Sequence, residues 1–191
     1  MTEKTDQSIS LEQENVLLRA QVAELTAQLA TTEQRLQEMG IADAITGLFS
    51  YRYFVGRMTE EVVRADRFSL EVSCLLVGLD TPSFEGLLEV SRMLRESSRQ
   101  YDITARWSQN ELAMLLPATD LDGAQIVAER FRILVEETFR DHPTLKGLTV
   151  SVGVASYPSR SVEDAKQILE AADGALHAAG KQGGNRTMVR D

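Results

Sequence analysis

The sequence predicts an α+β (layered α/β) fold: one central, mostly antiparallel sheet flanked by helices, with an N-terminal coiled-coil helix in front of it. Three observations predict it. Residues 8–39 carry heptads, with no proline and no glycine before Gly40. After Gly40, stripes of helical period alternate with short apolar runs, in the order helix, strand, helix, strand-turn-strand, helix, strand, helix, strand. Hydrophobic residues make up 43% of 191, enough for a sizeable core. Two units follow: a coiled-coil dimerisation helix over 1–40 and a domain over 41–191.

In the heptads, Leu11, Leu18, Leu25 and Met39 share one seam position, interrupted by Thr32. Asn15, Val22, Leu29 and Leu36 share the other. An a-type Asn favours a parallel two-stranded register, because its amide pairs across the seam, and Glu14 and Arg19 suit an interchain pair. The competing reading is one amphipathic helix packed on its own domain. Ser50 is the expected cap of a helix to about Asp66, with Phe54, Met58, Val62 and Ala65 on one face. Leu70–Leu79 reads as a buried strand. Thr81-Pro82 reads as a cap and first-turn proline opening a helix to about Gln100. Strands are expected near Ile103–Trp107 and Leu112–Leu116, and a helix from about Asp122 to Phe139. A strand over Leu148–Ser156, a helix capped by Ser161 and a last short strand ending at Val189 complete the chain.

The net charge of −9 argues against binding nucleic acid or anionic lipid through a basic surface, while leaving room for a local arginine cluster. The single cysteine, Cys74, excludes a disulfide framework and reads as a buried thiol. No run approaches the roughly 18 apolar residues of a membrane span, and the first residues lack a signal-peptide core. A cytoplasmic protein without membrane insertion is expected. His142 and His177 are too far apart to suggest a metal site.

Six stretches in order resemble the GGDEF family, the diguanylate cyclases that condense two GTP into cyclic di-GMP. They are Asp43-Ala-Ile-Thr-Gly-Leu, Arg106 before the signature hairpin, Leu115-Leu116-Pro117, Gly123-Ala124 with Ala128-Glu129-Arg130, Thr149-Val-Ser-Val-Gly, and Ala172-Asp173-Gly174-Ala175-Leu176. The resemblance runs from about Asp43 to the C-terminus and implies a palm-like sheet related to ferredoxin-like and nucleotidyl-cyclase folds.

It also implies a degenerate active site. The family's reaction needs carboxylates for divalent metal and glycines that let backbone approach phosphate. The signature aligns with Ser108-Gln109-Asn110-Glu111-Leu112, so both glycines and the first acid are replaced and side chains are expected where phosphate should sit. Gly78 stands at the family's metal-binding Asp, with Asp80 matching only the second Asp of its D-x-D. The following segment is shorter than the family's and lacks its guanine readers. The phosphate-gripping Lys and Arg align with Gly180 and Gly184, with Lys181 adjacent. Loss of cyclase activity is therefore expected, with no catalytic residue, metal or cofactor assigned.

Binding is expected to survive. Arg99 and Asp102 sit at the offset of the family's inhibitory product site, and Arg130 matches its second arginine. A guanidinium can donate two bonds to guanine O6 and N7, and a carboxylate can accept from N1–H and N2–H. The competing reading is a solvated helix-end ion pair of little energetic worth. The sequence thus points to a cyclic di-GMP effector, homodimeric through residues 8–39, that signals to an unidentified protein partner. The alternatives are a nucleotide-independent interaction scaffold and a residual cyclase or GTP sensor.

Overall fold

A computed structural model describes residues 2–159 and 162–190, with side chains described from residue 15 onward except 33–34 and 36–38. The chain divides into two compact units, Met1–Met39 and Gly40–Asp191. The first is one continuous helix, α1 (Thr2–Glu38). Its 37 residues span about 55 Å at 1.5 Å per residue. The seam residues Leu18, Val22, Leu25 and Leu29 are all exposed. The side chains of Leu11, Glu14 and Leu36 lie outside the described residues.

The second unit is an α+β domain with the element order α2 (Tyr51–Phe68), β1 (Val72–Leu79), α3 (Phe84–Ser97), β2 (Ile103–Arg106), β3 (Glu111–Pro117), α4 (Leu121–Phe139), β4 (Val150–Tyr157), α5 (Ala165–Lys181) and β5 (Thr187–Arg190). Its five strands form one sheet in the order β2-β3-β1-β4-β5. All neighbours are antiparallel except β4 and β5. The sheet is mostly antiparallel, as expected, and helices cover both faces.

Alternation along the strands assigns the two faces. Leu75, Val77, Val150, Val152 and Val154 pack with α3 and α4 through Leu87, Leu94, Phe131 and Val135. Cys74, Leu76, Ala113 and Leu115 pack with α2 and α5 through Phe54, Met58, Ile168 and Ala172. Burial pushes the Cys74 thiol far above its ordinary value, as an inert core residue requires.

The expected cap Ser50 accepts a bond from the Tyr53 N–H at 3.2 Å. Two other caps need correction. α3 starts at Phe84, and its cap is Ser83, which accepts from Gly86 N–H at 3.0 Å, not Thr81 followed by Pro82. The reason is that β1 runs on into Asp80, whose N–H bonds the Thr149 carbonyl at 3.1 Å, so Thr81 and Pro82 are spent on the turn. α5 is capped by Asp164, which accepts from Lys166 and Gln167 N–H. Ser161, the expected cap, lies outside the described residues.

Gly153 sets how closely α5 approaches the sheet. A Cβ there would collide with the Ala172 carbonyl and the Leu176 N–H, both helix backbone. The motif Thr149-Val-Ser-Val-Gly therefore has two sides. Its valines fill the core under α4, and its glycine lets α5 lie on β4.

Candidate functional site

The two ends of the sheet carry different chemistry. At one end, Gly78, Asp80, Glu111, Ser151, His177, Lys181, Gly183 and Gly184 line a cleft of about 510 Å³. Register explains the meeting: Gly78 pairs with Glu111 on β3 and with Ser151 on β4. Asp80 organises the rim. Its carboxylate accepts from Thr149 Oγ1 at 2.7 Å, Ser151 Oγ at 2.6 Å and Asn185 N–H at 2.8 Å. Gly184, at φ 73°, lies so close that a Cβ would meet Asp80 Oδ1 at 2.6 Å. No sequence signal marked Asp80 as the clasp between β1, β4 and the turn before β5, since its partners are 69 to 105 residues away.

That turn is held from a second side by Arg132. Its guanidinium bonds Glu129 at 2.7 Å, Glu136 at 2.8 Å and Asn185 Oδ1 at 2.6 Å. The Arg132 bonds hold the Glu129 carboxyl below its usual range, with partial burial opposing and Thr187 assisting. The two glutamates stand three and four residues from Arg132 on one helix, whereas Asn185 is 53 residues away in sequence.

The signature hairpin connects β2 to β3. Trp107 N–H and Ser108 N–H both donate to the Glu111 carbonyl, at 2.9 and 3.1 Å. Ser108 Oγ donates to the Glu111 carboxylate at 2.7 Å. Trp107 is half-buried against Tyr51 and Phe54, with ring centroids 4.8 and 6.2 Å away. Arg106 donates to the Ser108 carbonyl at 3.0 Å and meets Asp43 at 3.5 Å. Burial of Asp43 opposes ionisation, but Thr46, Arg106 and the Ile45 N–H outweigh it and lower its pKa. The motif from Asp43 to Leu48 is thus a turn clipped to the hairpin base by an arginine.

At the other end of the sheet, Arg99 and Asp102 join α3 to β2 through a closed turn. Asp102 Oδ2 accepts from Arg99 N–H at 2.7 Å, and Asp102 N–H donates to the Arg99 carbonyl at 3.1 Å. The pair is brought together through backbone, and no ion pair joins the two side chains among the described residues. The Arg99 guanidinium is exposed and Asp102 half-buried. Arg130 is exposed in the third turn of α4, which packs beside α3. At about 100° per residue, it points away from the flank where Glu129 and Arg132 reach Thr187 and Asn185. It forms no hydrogen bond or ion pair with Arg99 or Asp102.

Among the described residues, no group of three or more His, Cys, Asp or Glu side chains converges as a metal site. Both Asp80 oxygens accept bonds that tie β1, β4 and the turn before β5 together. No described helix is long and apolar enough to cross a membrane.

Residues 85–186 match the family model described as "Diguanylate cyclase, GGDEF domain". The chain is 30% identical over 183 residues to Diguanylate cyclase A of Treponema denticola, covering 88% of this chain and 49% of that one. It spans half or less of the length of the curated relatives it matches first. Among solved structures, the coiled coil and GGDEF domain of DgcB from Caulobacter crescentus, in complex with c-di-GMP, superposes with a TM-score of 0.73 at 19% identity, over 90% of this chain and 98% of that one. Diguanylate cyclase SiaD of Pseudomonas aeruginosa, in complex with its activator SiaC, superposes with a TM-score of 0.70 at 26% identity, over 99% and 78%.

These findings correct one expectation. Loss of cyclase activity, inferred from Ser108-Gln109-Asn110-Glu111-Leu112, is overturned by a family match and a relative that both carry the name diguanylate cyclase. The geometry supplies the reason. Ser108, Gln109 and Asn110 form the tight turn without positive φ, and their side chains do not line the cleft, which stays open between Glu111 and Lys181. The residues that replace the two glycines leave this cleft unfilled. With the motifs from Asp43 to Leu176 in one palm-like domain and 85–186 matched, the chain belongs to the GGDEF family.

Proposed function

We propose that this chain is a cyclic di-GMP-binding signalling protein in which Arg99 and Asp102 read guanine and Arg130 holds a phosphate or stacks on a base. Residues 1–40 act as the dimerisation helix, with residues 8–39 as its seam, and 41–191 as the ligand-binding domain. Ligand changes the chain's affinity for a protein partner, and pairing two domains raises the effective concentration of the second site.

The observation that supports this reading most directly is the state of Arg99. Its guanidinium is exposed and outside every described ion pair, while a backbone N–H holds the Asp102 carboxylate in place. A helix-end ion pair, the competing reading, would have spent the guanidinium on that carboxylate. Here nothing has to be broken before a guanine edge is met, and one carboxylate oxygen is already oriented. The DgcB structure with c-di-GMP and the SiaD structure with SiaC lend the same reading support by likeness.

Calorimetric titration of cyclic di-GMP into the wild type and Arg99→Ala tests it. Loss of a bidentate base contact, worth roughly 1–3 kcal/mol, weakens the variant about tenfold or more. No heat from the wild type at micromolar ligand sinks the reading, and equal heat from both proteins moves the site elsewhere. A second reading, GTP condensation in the cleft, is favoured by the open space between Glu111 and Lys181. Incubation with GTP and magnesium, followed by chromatography for cyclic di-GMP, decides it.

A further inference from the structure

The chain has four tyrosines, and three of them have partners. The Tyr51 ring meets Trp107 at 4.8 Å, the Tyr53 ring stacks on Phe49 at 4.5 Å, and the Tyr157 hydroxyl donates to Asp66 at 3.2 Å. Among the described residues, Tyr101 has neither a ring contact nor a side-chain hydrogen bond. It is 79% exposed, more than any other large hydrophobic side chain described. A lone exposed apolar side chain is ordinary; the position of this one is not.

Tyr101 lies inside the turn from Arg99 to Asp102. The Asp102 N–H donates to the Arg99 carbonyl at 3.1 Å, and the Arg99 N–H to the Asp102 carboxylate at 2.7 Å. Gln100 and Tyr101 are thus the central residues of a closed β-turn, whose end Cα atoms lie within about 7 Å of each other. The ring grows from backbone that is already fixed, beside one proposed guanine reader and within the same turn as the other. A tyrosine so placed loses little rotamer freedom on meeting a ligand.

The neighbours define what the ring can meet. The Arg99 guanidinium is exposed, and Arg130 adds a second exposed cation on the helix packed beside α3. An aliphatic surface laid over Tyr101 would desolvate the guanidinium and the Asp102 carboxylate without matching either. A flat base with a polar edge and a nearby phosphate satisfies all of them.

We infer that Tyr101 is a further ligand-binding residue whose ring stacks on a guanine face of bound cyclic di-GMP. This rests on the reading of the Arg99–Asp102 turn given above and adds a function within it. Arg99 and Asp102 meet base edges, which differ between bases; Tyr101 meets a face, which every base presents. The ring therefore contributes affinity, and the edge readers contribute selectivity. With the face supplied by Tyr101, Arg130 is left to the phosphate.

The test is calorimetric titration of cyclic di-GMP into the full chain as wild type, Tyr101→Ala, Tyr101→Leu, Tyr101→Phe and Arg99→Ala. The three tyrosine variants unfold at the wild-type temperature, since the side chain they alter has no partner. Tyr101→Ala and Tyr101→Leu bind about tenfold more weakly, while Tyr101→Phe, which keeps the ring, stays within about twofold of wild type. The ratio of affinities for cyclic di-GMP and cyclic di-IMP, which lacks the guanine 2-amino group, is the same in Tyr101→Ala as in wild type. In protein with labelled tyrosine rings, saturating cyclic di-GMP moves the Tyr101 ring protons upfield and leaves those of Tyr51, Tyr53 and Tyr157 in place. Wild-type affinity in Tyr101→Ala, equal losses in Tyr101→Phe and Tyr101→Ala, a changed ratio, or unmoved Tyr101 ring signals each overturn the inference while the Arg99 reading stands. No heat from the wild type overturns both.

Discussion

At Gly153 the backbone of α5 leaves no room for a methyl group, because the added Cβ would overlap the Ala172 carbonyl and the Leu176 N–H. Main chain cannot rotate aside as a side chain can. Gly153→Ala is expected to lower the unfolding free energy by roughly 3 kcal/mol, read as a shift in urea midpoint at unchanged slope. Arg132 makes a different kind of contribution. Its partner Glu129 has a folded pKa below the unfolded one, so the cluster stabilises the fold at neutral pH. That stability is lost as pH falls below the ordinary glutamate range and through the lowered folded pKa. Arg132→Ala is expected to cost about 1–2 kcal/mol at pH 7, and the gap to wild type should narrow at pH 3, measured by chemical denaturation. The strand alternation around Gly153 was legible in the sequence, since it needs only neighbours. The reason for the glycine was not, because its partners lie about twenty residues on, in another element.

Among the elements, the start of α3 separates local from long-range information. Thr81-Pro82 satisfies the local rule for a helix start, and Ser83 satisfies it two residues later. What decides is the bond from Asp80 N–H to Thr149, which holds the chain extended past Thr81. Ser83→Ala should therefore cost about 1 kcal/mol, while Thr81→Ala should be close to neutral in the same thermal unfolding series. The helices and strands themselves were readable because each carries a periodic apolar stripe. The Arg99–Asp102 turn was readable as a pair of residues but not as a structure. Nothing in the spacing said that a backbone N–H, not the guanidinium, would hold the carboxylate.

For the whole molecule, sequence patterning predicted layers and left strand order open. No periodicity states that β1 lies between β3 and β4, or that β5 joins parallel at the edge. Those facts follow from which faces can be buried together. The seam of α1 carries a prediction at this scale. The chain should run as a dimer in light scattering, and Leu25→Glu, at an exposed seam position, should give a monomer that binds cyclic di-GMP with the same stoichiometry per chain. Asp80 adds a consequence in time. Its bond to Asn185 closes a loop of 105 residues, among the longest contacts in the domain. Closing so long a loop is unfavourable until the strands between have already paired. The rim of the cleft is thus assembled after the sheet, and in native-state hydrogen exchange the Asn185 amide should open by a partial unfolding that leaves the amides of β1 and β3 protected.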